Sequence, residues 1–348
     1  MRAIVAIKKG LAAIQEVTKP KLRDGCVLVK VKAVGLNPAD WKNLDKRAVP
    51  GIRLGLDYVG IVEEIGNGVM KPFKKGDRIA GWANGGDEYQ PDTGAFGDYA
   101  IVKAHVQFKV PENITDEQAA TFGVSMSTVA QGLYKALGLP WPNAPAKTPF
   151  PILIYGGSTA TGIYGIQFAK ASGLTVVTTA SPRNFEYLKS LGADAVFDYN
   201  SPTCAEDIKA LTGNKLALVW DCTGDGGEIG AKALTDAADS KYATIMPVDA
   251  DLVHAINPRV DGPLAHVAYD VHGDPYMWPD GGKPARPEEA AYAARFLELC
   301  PGLLESGAVK PVRTIVNFGG SGLEGVMKGL DELRAGRVSG AKFVYTLP

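Results

Sequence analysis

The chain has 348 residues, 46% hydrophobic and 22% charged, with a formal net charge of -1. That length implies two domains, and the charge argues against a nucleic-acid binder, whose surface is usually basic. No apolar run reaches membrane-spanning length, the opening "MRAIVAIKKG" is not a signal peptide, and the four cysteines (Cys26, Cys204, Cys222, Cys300) form no CxxC pair, so reduced thiols in a cytoplasmic protein are expected.

The first third reads as β structure. "CVLVKVKAVGL" from Cys26 alternates apolar and polar residues, and "GLDYVGIVEEIG", "GDRIAGW" and "GAFGDYAIVKAHVQFKVP" follow with glycines at the breaks. Short strands punctuated this way predict a barrel-like β domain. At "PENITDEQAATFGVSMSTVAQGLYKAL" the pattern turns helical, with Thr115 as N-cap and Asp116 and Glu117 in the first turn, where the helix dipole favours anions. After the Pro-rich "LPWPNAPAKTPF", strands and helices alternate: "ILIYG", a helix over Gly165–Ser172, "TVVTTA", "NFEYLKSLGA", "AVFDY", "AEDIKALTG", "LALVWDCTG", "GEIGAKALTDA" and "KYATIMPV". Continuous apolar strands between helices predict a parallel sheet covered on both faces. "PEEAAYAARFLELCPGLLESG" and "GLEGVMKGLDELRAG" read as helices, and "AKFVYTL" as a last strand.

The stretch "PILIYGGSTATGIYGIQFAK" (Pro151–Lys170) is a strand, a glycine turn and a helix, the arrangement that receives a pyrophosphate. Gly156, Gly157 and Gly162 allow close approach; Ser158, Thr159 and Thr161 offer hydroxyls, with Ala160 among them. The spacing is not a clean GxGxxG, and a tight turn alone is the bland alternative. A site for NAD usually carries a carboxylate about 20 residues later; here the place reads "TTASPRN". Ser181 and Arg183 suit a 2′-phosphate instead, Arg through its charged fork, so NADPH is the expected cofactor.

"GLNPADWK" (Gly35–Lys42), "GLDYVGIVEEIG" (Gly55–Gly66), "GDRIAG", "GAFGDYAIV", "VPENITDEQAAT", "GGSTATG", "LGADAVFDY" and "GRVSGAKFVYTL" follow in fixed order. Together they resemble the medium-chain dehydrogenase/reductase superfamily over nearly the whole chain. The resemblance implies an α/β protein: a GroES-like β-rich catalytic domain (1–124 and 281–348) and a Rossmann domain with a doubly wound parallel sheet (125–280). Zinc members have a Cys in the segment matching "GLNPADWK" and a His-Glu pair where this chain has Leu56-Asp57. They also carry a four-cysteine lobe missing here. Asp40 and Asp57 alone are a poor zinc set, so no metal is expected.

Within the metal-free branch the chain looks most like the fungal trans-acting enoyl reductases that assist polyketide synthases, the lovastatin type. The supporting segments are "NPADWKNLD", "TFGVSMSTVAQGLY", "VAYDVHGDPYMWP" and "FLELCPGLLESGAVKP". The resemblance implies hydride transfer from NADPH to the β-carbon of an α,β-unsaturated thioester on an acyl carrier protein, with a polyketide synthase as partner and the reductase itself a monomer. It makes Lys42 and Thr128 candidate catalytic residues and the segment Thr121, Phe122, Gly123, Val124, Ser125, Met126, Ser127 and Thr128 the substrate lining. It assigns to the cofactor Pro38, Ala39, Asp40, Trp41, Ser158–Thr161, Ser181, Pro182, Arg183, Asn184, Tyr199, Pro247, Val248, Ser339 and Gly340. Several have a plainer reading: Lys42 solvated, Arg183 solvated on a loop, Thr128 bonded to its own backbone, Tyr199 packing at a strand end, Ser339-Gly340 a turn. His254, His266 and His272 read as surface or packing residues in a loop-rich region, and no dedicated proton donor stands out. A quinone or small-enone reductase and a noncatalytic NADPH-binding regulator are the alternative functions.

Overall fold

In the computed structural model, which describes residues 1–278 and 280–348, the chain divides into two units. One comprises 1–127, 269–306 and 311–348; the other comprises 128–268 and 307–310.

The first unit is built on a seven-stranded sheet. Its strands run in the order Thr314–Val316, Lys342–Thr346, Cys26–Gly35, Asp57–Ile65, Arg78–Trp82 and Gln107–Lys109, with Tyr99–Lys103 also pairing with Cys26–Gly35. Neighbours are antiparallel except Thr314–Val316 beside Lys342–Thr346. The alternation in "CVLVKVKAVG" has its physical counterpart here: Val27, Val29 and Val31 are fully buried, while Lys30 and Lys32 keep partial access. The helix Gly322–Arg334 lies unusually close to the last strand. A Cβ at Gly329 would sit 2.3 Å from Tyr345 Oη and one at Gly325 2.8 Å from the same ring, so only glycine permits that approach.

The expected domain edge at 281 lies elsewhere. The stretch from Tyr269 packs with the first unit, where Trp82 meets Tyr269 edge-on at 5.1 Å and His272 at 4.8 Å, and Lys103 pairs with Asp274 at 2.8 Å. Aromatic burial of this kind outweighs the loop-like look of the sequence. The final residue of the "VAYDVHGDPYMWP" segment, Pro279, lies outside the described residues.

The second unit holds a six-stranded parallel sheet in the order Ala195–Phe197, Thr175–Thr179, Pro151–Tyr155, Leu218–Asp221, Ser240–Thr244 and Val260–Ala265. Helices Ala160–Ala171, Phe185–Ser190, Cys204–Leu211, Gly227–Ala233 and Ala250–Ile256 connect the strands. Ile152, Leu153 and Ile154 are all fully buried, as a strand covered on both faces requires. Trp220 fills a slot against glycines, since a Cβ on Gly132 or Gly165 would come within 2.2 or 2.5 Å of its indole.

Two helix expectations change. The long helix from Thr115 is three pieces: Asp116–Ala119, Gly123–Val129 and a π-helical stretch Ala130–Ala136, in which the Leu137 N–H donates to the Gly132 carbonyl. Thr115 does cap the first, accepting from Gln118 N at 3.3 Å. The helix expected over 165–172 begins at Ala160, because the Thr159 hydroxyl accepts from Gly162 N at 2.9 Å and starts it five residues earlier. All four cysteines are free and buried, and among the described residues no helix is long and apolar enough to cross a membrane.

Candidate functional site

In the second unit the strand Pro151–Tyr155 ends in Gly156, whose φ of +79° is a left-handed conformation that favours glycine. Gly156 N donates to Thr179 Oγ1 at 3.0 Å and Gly157 N to the Thr179 carbonyl at 2.9 Å, so the turn is stitched to the next strand. A Cβ at Gly162 would lie 2.4 Å from the Gly156 carbonyl oxygen, which forces the helix to start tight against the turn. Thr159 differs from its expected role. Its hydroxyl donates to the Gly156 carbonyl at 2.9 Å while accepting from Gly162 N, so its single proton shapes the turn instead of meeting a phosphate. Ser158, Ala160 and Thr161 flank it, partly exposed, at the N-terminal end of the twelve-residue helix, where N–H groups lack intrahelical acceptors.

At the end of the next strand, Ser181 Oγ and Tyr199 Oη are 3.1 Å apart. Pro182 and Arg183 are exposed, while Asn184 is buried and hydrogen-bonded or in contact within the fold. Arg183 has no carboxylate partner among the described residues. The structure therefore brings Ser181 and Tyr199 together with an uncommitted guanidinium two residues on. Beside the glycine turn, Gly156 abuts Thr223, and Gly224 abuts Met246 and the Pro247 carbonyl, while Val248 packs against Gly227.

Asp221 escapes a reading of motifs alone. Fully buried, it accepts from Thr223 N and Thr223 Oγ1 at 2.8 Å, Gly224 N at 3.0 Å, Gly226 N at 2.9 Å and Tyr242 Oη at 2.8 Å. Five donors on one carboxylate fix the loop that faces Gly156. Its signal in the sequence is Asp with Thr and Gly two and three residues on, an Asx-type turn.

In the first unit, Asn37 caps the helix Pro38–Lys46, and its own N–H donates to Asp40 Oδ2 at 2.7 Å. Asp40 is therefore buried within the cap, and desolvation pushes its carboxyl up to about 8. Ala39 and Trp41 keep partial access, and the Lys42 ammonium lies 5.8 Å from the Trp41 ring centre. Thr121 is buried and donates to the Gln118 carbonyl at 2.6 Å. Phe122 packs near Phe108, Met126 is fully buried, and Val124 N donates to Asp57 Oδ1 at 2.7 Å. A Cβ on Gly123 would lie 2.2 Å from the Gly81 carbonyl oxygen. Ser125 and Ser127 are buried with hydroxyls that have no hydrogen-bond partner among the described residues. Thr128 is the first residue of the second unit. Ser339 is exposed and has a partner in the fold; Gly340, at φ +66°, turns the chain into the last strand.

Of the three histidines read as surface or packing residues, His266 and His272 are packed inside the fold. His254 lies in the helix Ala250–Ile256. His266 stacks on Trp220 at 6.5 Å, and burial lowers it to about 4; His272 is lowered by burial to about 3.

Residues 23–112 match the alcohol dehydrogenase GroES-like domain and 160–239 the zinc-binding dehydrogenase family model. The chain is 41% identical to the trans-enoyl reductase ACTTS2 of Alternaria alternata over 99% of this chain and 98% of that one. The chain belongs to the trans-enoyl reductase family. These are oxidoreductases of the medium-chain dehydrogenase/reductase fold. Trans-enoyl reductase TOXD of Cochliobolus carbonum is 54% identical over 58% of this chain and 68% of its own length. Among solved structures, an alcohol dehydrogenase superfamily protein from Novosphingobium aromaticivorans aligns over 100% of both chains with TM-score 0.81 at 22% identity, a likeness of fold.

For this trans-enoyl reductase family member, the fold's implied nicotinamide cofactor fits the residues present. The glycine turn, the free helix start and the polar set Ser181, Arg183 and Tyr199 suit a dinucleotide phosphate. Zinc does not fit. "GLNPADWK" and "GLDYVG" supply neither Cys nor His, an ammonium (Lys342) pairs with Asp57, and no group of three metal-binding side chains occurs among the described residues.

Proposed function

We propose that the protein reduces the α,β-double bond of an enoyl thioester carried on an acyl carrier protein, working in trans with a polyketide synthase and using NADPH. The observation that carries the reaction class is full-length identity to proteins named trans-enoyl reductases. Cofactor choice rests on the Ser181–Tyr199 contact beside exposed Arg183, with no acidic side chain in "TTASPRN". NADPH, when bound, supplies the hydride that the β-carbon accepts.

The chain's own residues then have three tasks. The glycine turn and helix start hold the pyrophosphate, and Arg183 pairs with the 2′-phosphate. Pro38–Trp41, Pro247, Val248, Ser339 and Gly340 complete the cofactor's surroundings by resemblance. By resemblance, Lys42 contacts the cofactor or a polarised carbonyl and Thr128 donates near the nicotinamide; a donor at the thioester oxygen lowers the barrier electrostatically as negative charge develops there. The Thr121–Thr128 segment orients the acyl chain and excludes water, and solvent supplies the α-proton. Turnover of NADPH with an enoyl thioester, absent with the saturated thioester, tests this reading; a chain that binds NADPH but turns over no enoyl thioester contradicts it.

A further inference from the structure

Lys342 opens the last strand of the first unit, 3% exposed. Its Nζ faces three oxygens: Asp57 Oδ2, Asn37 Oδ1 at 2.9 Å and the Thr121 carbonyl at 3.4 Å. Three N–H groups meet three acceptors, which suits an ammonium and would misfit a planar guanidinium. Each acceptor leads to a different segment. Asn37 caps the helix that carries Lys42. Asp57 holds Val124 N with its other oxygen, and Thr121 begins the buried run before the helix Gly123–Val129. A buried ion pair is a poor source of net stability, because desolvating both charges offsets their attraction. What this one does is hold separate segments in a single register.

We propose that Lys342 is a positioning residue for the reaction. Its ammonium fixes the Thr121–Ser127 segment relative to the cap of the Lys42 helix, 285 and 305 residues away along the chain from Asp57 and Asn37. This rests on the reading above that both segments serve the substrate and cofactor. A methylene chain of equal length would leave Asp57 Oδ2, Asn37 Oδ1 and the Thr121 carbonyl without their cation, and the segments would drift apart.

The test uses the full chain and its NADPH-dependent reduction of an enoyl thioester. Lys342→Ala removes the ammonium and leaves space for a small one. We expect kcat/KM for the thioester to fall about 100-fold, the scale of a misplacement near 1 Å. Methylammonium should restore about tenfold or more of it saturably, and tetramethylammonium, which has no N–H, should restore nothing. Because the single variant leaves Asp57 buried and unpaired, the neutral pair Lys342→Met with Asp57→Asn keeps the test independent of folding. It should show wild-type circular dichroism and the same loss in kcat/KM. Hydrogen exchange at the Val124 amide supplies a readout apart from activity: faster in Lys342→Ala, slowed again by methylammonium. Wild-type kcat/KM in the neutral pair, equal rescue by both amines, or unchanged exchange at Val124 would overturn the proposal. A wild-type chain that reduces no enoyl thioester would overturn the functional reading on which the catalytic half rests, while Val124 exchange would still decide the structural half.

Discussion

Ser181 Oγ and Tyr199 Oη meet at 3.1 Å across the ends of two neighbouring parallel strands, with the Arg183 side chain exposed two residues beyond. Two hydroxyls in contact, with an exposed guanidinium two residues from one of them, make a set of donors for an anion. If they hold the 2′-phosphate, Arg183→Ala removes one charge-assisted bond, worth about 1.5–3 kcal/mol. At an exposed site the lower end applies, so KM for NADPH should rise about tenfold. KM for NADH should hardly move, since NADH offers no phosphate. Initial-rate kinetics with both cofactors decide it: equal weakening of the two would place Arg183 in folding or at the pyrophosphate.

Gly162 makes the second prediction. An alanine Cβ there would lie 2.4 Å from the Gly156 carbonyl oxygen and 2.9 Å from Gly157 Cα, and backbone cannot step aside as a flexible side chain would. Gly162→Ala should cost about 1–3 kcal/mol in denaturant unfolding and weaken cofactor binding as the turn opens. Gly302→Ala is the control, a helical position with nothing within 4 Å of the added methyl. It should be neutral or stabilising by up to about 1 kcal/mol. If the two variants behave alike, the tight start of the helix is not what requires Gly162.

The third concerns acid. His272 stays neutral in the fold, lowered by burial to about 3, with His105, Lys103 and Asp274 around it and Trp82 edge-on to its ring. The unfolded chain takes up this proton near pH 6.5. The unfolded state therefore binds more protons between about pH 6.5 and 3, and stability falls as pH drops through that window. At pH 5 His272 alone should cost on the order of 2 kcal/mol relative to pH 7.5. His272→Phe keeps a ring against Trp82 and removes the titration, so its unfolding free energy should fall less over the same interval. Parallel pH profiles for the two proteins would contradict the assignment.

The parallel sheet and its glycine turn were legible because their signals are local. "ILIY" is apolar without a break, and Gly156-Gly157 interrupts it at once. Thr115 likewise announces its helix through the three residues that follow. The start of the helix at Ala160 was misread because Gly162 and Gly165 are poor helix formers, and the apolar spacing becomes clear only after them; the Thr159 cap overrides that weakness. Tyr269 and His272 were placed on the wrong side of a domain edge, since their burial depends on Trp82, far away in sequence. Lys342 was wholly illegible. A lone lysine in a terminal strand carries no local mark, and its meaning comes from Asp57 and Asn37, which the fold alone brings to it.

The most direct test of the account is a comparison of kcat/KM, by NADPH oxidation, for an enoyl group presented on an acyl carrier protein, the same enoyl group on a small thiol, and a simple quinone. The account predicts the order carrier-bound above free thioester above quinone, with saturated product formed in step with NADPH consumed. A quinone turned over more efficiently than every enoyl thioester would contradict it and make the protein a quinone reductase on the same fold.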